Sequence, residues 1–161
     1  MPGRAAARES GYTDFNWITK EIAQGAYPGK ATPALFGTFD VVCFTAYEKQ
    51  IRLKPPSGKL LYSIPLDDDS YRPIPPELSE ILHQLGKSLA SHVRAGKKAL
   101  ITCAMGANRS GLITGLTMMY AYGFNGRQAV TLIKQRRKPH EDVLVLGNPI
   151  FEAFLLNARP R

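Results

Sequence analysis

ALITCAMGANRSGLITG, residues 99–115, is the stretch on which the reading of this chain turns. Ala99 to Thr102 form a short apolar and β-branched run that ends at Cys103, as a buried strand does. Six steps later comes Arg109, and an apolar helical pattern starts at once. A strand that passes through a tight loop straight into a helix makes an oxyanion cradle, because loop N–H groups and the positive end of the helix dipole converge on one point. The same field favours the thiolate form of Cys103. Arg109 supplies a planar fork that matches two oxygens of a phosphate. Gly106 lets the backbone turn tightly, and Ser110 is placed to donate to the thiolate or to help cap the helix. A Cys and an Arg at this spacing are weak evidence alone. Together with Gly106, Ser110, the preceding strand and the following helix they are specific.

Outward from this loop, strands and helices alternate. FNWITKEIAQGAY (15–27) reads as strands meeting at a turn, FDVVCFTA (39–46) reads as a buried strand, and LLYSIPL (60–66) reads as another strand. Pro75 and Pro76 open a helix that repeats Leu78, Ile81, Leu82, Leu85 and Leu89 at helical spacing, and Gly96 closes it. NRSGLITGLTMMYAYG, GRQAVTLIKQRRK and NPIFEAFLLNA read as three further helices. The pattern predicts an α/β fold with a central, mainly parallel, twisted sheet flanked by helices. Residues 1–13 are small, polar and charged and read as a loose tail; 14–161 read as one domain.

Composition narrows the class. Hydrophobic residues make up 44% and charged residues 21% of 161, a globular balance. Two cysteines, Cys43 and Cys103, make no disulfide framework, and no apolar run approaches the roughly 20 residues of a membrane span. A cytoplasmic protein without a membrane partner is expected. The net charge of +8 lies entirely in the second half, where residues 81–161 carry 12 basic and 3 acidic side chains, which points to an anionic partner. His83, His92 and His140 share no ligand spacing, so neither a metal nor another cofactor is inferred.

The segment from Cys103 to Arg109 resembles the Cys-x5-Arg signature of the protein tyrosine phosphatase superfamily, and its dual-specificity branch in particular. The likeness extends from about Asn16 to Leu156: NWITKEIAQGAYP is similar to that branch's opening hairpin, YSIPLDDD to its strand entering the acid loop, and AVTLIKQRRKP with NPIFEAFL to its closing helices. The resemblance implies hydrolysis of phosphate monoesters through a phosphocysteine intermediate, without metal. It makes Cys103 the nucleophile, Ala104, Met105, Gly106, Ala107, Asn108 and Arg109 the phosphate cradle, and Ser110 an aid to the thiolate. Asn148 matches a structural asparagine. Thr102 stands where the family usually has His, and AMGAN lacks the basic residue found in relatives that act on inositol phosphates.

A leaving oxygen must be protonated as it departs, and Asp67, Asp68 and Asp69 follow a strand end. The family's spacing from Ile64 selects Asp68 as the acid. Arg137 matches a family arginine near the pocket mouth that binds a second anionic group, and a solvated basic helix end is the competing reading. The expected partner is a phosphorylated protein or peptide, phosphotyrosine and also phosphoserine or phosphothreonine, with inorganic phosphate or another oxyanion in the loop. Two alternatives stay open: a phosphate-binding module without turnover, which Thr102 permits, and an RNA 5′-phosphatase of the same superfamily, which the basic half permits. No aromatic and basic stacking run supports nucleic acid.

Overall fold

The structure is a computed structural model and describes residues 11–160. Five strands, β1 (Phe15–Trp17), β2 (Ile22–Gly25), β3 (Val41–Ala46), β4 (Leu60–Leu66) and β5 (Ala99–Thr102), form one sheet in the order β1-β2-β5-β3-β4. The β1–β2 hairpin is antiparallel, and the β2–β5, β5–β3 and β3–β4 pairs are parallel. The helices are α1 (Thr32–Leu35), α2 (Pro76–Arg94), α3 (Arg109–Tyr122), α4 (Gly126–Arg136) and α5 (Pro149–Asn157). No helix among the described residues is long and apolar enough to cross a membrane.

Alternate residues of a strand point to opposite faces, and here the alternation sorts two cores. Ile22, Val41, Cys43, Ala99 and Ile101 face the four long helices and pack with Leu82, Leu89, Leu112, Ile113, Leu116 and Ile133. Ala23, Val42, Phe44 and Leu100 face the other way, toward Tyr12, Leu35, Phe36 and Phe39. Helices therefore crowd on one face, and an aromatic cluster around α1 closes the other.

Local signals set the ends of the elements. Pro75 precedes α2 in extended backbone, and past its last turn Gly96 takes a left-handed φ of 84°. Asn125 and Gln128 form a reciprocal capping box at the start of α4. That helix stops at Arg136, because Lys138 precedes Pro139 and is pushed toward extended backbone. The expected tail needs correction at one point. Tyr12 is buried, stacks on Phe15 and donates its hydroxyl to the carbonyl of Ala26 at 2.7 Å, so order begins before residue 14. Residues 1–10 of that tail lie outside the described residues.

Candidate active site

The cradle spans Cys103 to Arg109, between the end of β5 and the first residue of α3. Its shape follows from what its carbonyls touch. Ala104 O accepts from Tyr27 N at 3.2 Å, Met105 O from Arg137 Nη2 at 3.0 Å and Ala107 O from Leu146 N at 3.2 Å. Gly106 O accepts from both Gln24 Nε2 at 3.0 Å and Arg137 Nε at 2.9 Å. Asn108 O accepts the helical bond from Leu112 N. Five successive carbonyls are thus held on the outside of the loop. In a trans peptide the N–H points opposite to its carbonyl, and there is no cis bond among the described residues, so the amides of 105–109 turn inward as an anion nest. Gly106 has φ 70°, and a Cβ there would strike the backbone of Gly25 and Arg137 Nη2. Only glycine fits this crossing of β2 and the cradle.

Inside the nest, Cys103 is buried and its Sγ lies 3.2 Å from Ser110 Oγ. Thr102, at the end of β5, is buried, and its carbonyl accepts from Thr45 Oγ1 at 2.7 Å, which ties the strand ahead of Cys103 to β3. Arg109 is fixed by Glu48, whose two carboxylate oxygens accept from Nη1 at 2.7 Å and Nη2 at 2.6 Å. Nη1 also reaches the carbonyl of Leu66 at 3.0 Å. Arg109 Nε is buried and has no partner in the protein, which leaves that edge of the fork for a ligand. Hydrogen bonding from Arg109 holds the Glu48 carboxyl down at about 2, against an ordinary 4.5. Burial, the largest influence, would weaken the Arg109 cation, but the Glu48 bonds together with the charge interactions of Cys103, Glu48 and Asp68 raise its pKa on balance.

The three aspartates separate. Asp68 is exposed at the cradle's rim, and its two oxygens accept from Asn108 Nδ2 at 2.9 Å and Asn148 Nδ2 at 2.7 Å. Asp69 Oδ1 instead accepts from Tyr71 N at 2.8 Å and Arg72 N at 3.3 Å, so it caps its own turn. Asp67 lines a separate cavity of about 340 Å³ with Leu66, Ile74 and Leu78. Only Asp68 is bonded to the cradle loop.

Arg137 is a correction. Neither a second anion site nor a solvated helix end describes it. The side chain is wholly buried; besides its two cradle carbonyls it donates to Asn16 Oδ1 at 2.9 Å and Asp14 Oδ1 at 2.8 Å. Its fork braces the cradle from behind and ties it to the β1–β2 hairpin. Two residues that sequence reasoning passed over belong to the site: Gln24, which supports Gly106, and Glu48, which orients Arg109. Glu48 had one available signal. It follows β3 at the carboxyl end of the parallel strands, where α/β folds place their functional loops.

Comparison with known proteins agrees with this architecture. A family model described as "Dual specificity phosphatase, catalytic domain" matches residues 37–143. None of the curated proteins compared with the chain matches it. Among solved structures, human DUSP28 superposes with a TM-score of 0.70 at 16% identity, over 89% of this chain and 90% of its own. A mouse putative dual specificity phosphatase complexed with zinc tungstate gives 0.69 at 19%, over 88% and 83%. OH1 from the Orf virus, a tyrosine phosphatase with triple substrate specificity, gives 0.62 at 19%, over 96% and 95%. At these identities the likeness is one of fold.

Proposed function

The chain belongs to the dual-specificity phosphatase catalytic-domain family, and on that premise we propose that it hydrolyses phosphate monoesters on phosphoproteins through a phosphocysteine intermediate. The observation that carries this reading is the cradle itself: inward amides, the unpartnered Nε of Arg109 and the Cys103 sulfur share one loop.

The thiolate of Cys103 attacks phosphorus as the P–O bond to the leaving group breaks. The amides and Arg109 hold the three equatorial oxygens, where negative charge spreads in the transition state. Asp68 gives its proton to the departing oxygen. As a carboxylate, it then takes a proton from the water that attacks the phosphocysteine, and the S–P bond breaks to release phosphate and the thiolate. Ser110 donates its hydroxyl to the sulfur as it leaves. Glu48 keeps the Arg109 fork in the plane the phosphate needs. With two free cysteines and a thiolate nucleophile, the reading includes a reducing, cytoplasmic setting.

Cys103→Ser tests the mechanism. It should abolish turnover on a phosphotyrosine and phosphothreonine peptide panel while vanadate still binds, because the nest and Arg109 remain. Undiminished hydrolysis by the serine variant would overturn the mechanism. Oxyanion binding by the unmodified chain without turnover on any substrate would make it a binding module instead.

A further inference from the structure

Asp68 is not held by its own loop alone. Its two oxygens are met by side-chain amides from two other parts of the chain, Asn108 in the cradle and Asn148 at the start of α5. The direction of each amide follows from its other partners. Asn108 Oδ1 accepts from the backbone N–H of Asn148 at 3.0 Å. A backbone N–H only donates, so the oxygen must face it and the NH2 must face Asp68. Asn148 Oδ1 is taken in the same way by Ile150 N at 2.9 Å and Phe151 N at 3.3 Å, the cap of α5. Its NH2 is therefore turned to Asp68 and to the carbonyl of Asp69 at 3.1 Å. Neither amide is free to flip.

From this geometry we propose that Asn108 is a positioning residue that clamps the acid Asp68 to the phosphate cradle. The role rests on the phosphatase reading above and deepens it. Asn108 occupies the last step of the loop before Arg109, so its backbone belongs to the nest and its side chain reaches the acid. One residue thus fixes where the phosphate sits and where the proton waits. Asn148 anchors the arrangement to a helix end, which leaves Asn108 no other orientation. Without the Asn108 amide, Asp68 keeps one donor and the exposed acid loop gains freedom, while the outward carbonyls of the cradle keep their own partners.

Asn108→Ala separates this role from a merely structural one. A charge-assisted hydrogen bond lost beside the acid should lower kcat on an alkyl phosphate about tenfold more than on an activated aryl phosphate, whose leaving group barely needs a proton. In an Asp68→Asn background the same substitution should add no such difference. Backbone hydrogen exchange at 67–72 should quicken in Asn108→Ala while vanadate affinity stays close to that of the unmodified chain, and the fall in melting temperature from the lost Asn148 N–H bond should be the same with or without Asp68→Asn. Equal losses on both esters, a leaving-group effect that persists without Asp68, or unchanged exchange at 67–72 would each overturn the clamp. Exchange does not depend on turnover. If the unmodified chain hydrolyses no ester and Asn108→Ala still loosens 67–72, the clamp stands and the catalytic reading falls.

Discussion

Glu48→Gln probes the contact that aims Arg109. The carboxylate receives both terminal nitrogens of the guanidinium, whose side chain is 8% exposed against 49% for Glu48. A glutamine offers one oxygen to the fork and sets its NH2 against the other N–H, so a buried cation loses its counter-charge and one of its three hydrogen bonds. A fall from 4.5 to about 2 in the Glu48 carboxyl would correspond to roughly 3 kcal/mol if no water intervened. Because the carboxylate is half exposed, screening leaves about 1–2 kcal/mol. The sign follows from the lowered value: this stability is present in full above pH 4.5 and is lost as pH falls toward 2. Urea unfolding of both proteins between pH 7 and pH 2 should therefore show a gap of about 1–2 kcal/mol that narrows below pH 4.5. In steady-state kinetics the misaimed fork should cost about tenfold in kcat/KM. A gap that does not change with pH, or a kcat/KM within about twofold of the unmodified chain, would refute the assignment of Glu48.

Three further outcomes are expected. Arg137→Lys, which replaces a four-way fork with a point donor inside a buried site, should destabilise the chain by about 3 kcal/mol in urea unfolding, with no selective loss on doubly phosphorylated peptides. A selective loss at unchanged stability would restore the anion-site reading. Gly106→Ala, which needs φ 70° and drives a Cβ into Gly25, should abolish oxyanion binding as well as turnover; retained vanadate affinity would mean that the β2 crossing is not needed. Cys43 is fully buried, and burial pushes its thiol up to about 12, so iodoacetamide should label it only after denaturation, as peptide mass mapping would show. Labelling of Cys43 in the folded chain at a rate near that of Cys103 would contradict the burial.

Most of the secondary structure was legible along the chain because its signals are local. The strand at 60–66 matches the apolar run LLYSIPL end to end, and the helix after Pro75 starts and stops where its prolines and Gly96 require. The apolar runs at 41–44 and 99–101 were legible as strands, but with no polar residue to mark a face, only the fold shows which of their alternating side chains enter which core. The Cys103 loop was legible for the same local reason: cysteine, glycine, arginine and helix start lie within eight residues, so their geometry is dictated by the loop they share.

What the sequence could not determine were pairings between residues far apart along the chain. It named Asp68 through a family's spacing, yet the choice among three adjacent aspartates rests on contacts across 40 and 80 residues, to Asn108 and Asn148. Glu48 meets Arg109 across 61 residues, and nothing near either marks the other. Arg137 shows the limit most directly. Its basic neighbours Lys134, Arg136 and Lys138 suggest a solvated helix end, but the helix stops one residue earlier and the chain turns inward. Asp14 and Asn16, more than 120 residues away, then supply the acceptors that a buried guanidinium must have. Local order is fixed by neighbours in sequence. The partner of a buried charge is fixed by what the folded sheet and helices bring beside it, and that only the tertiary structure decides.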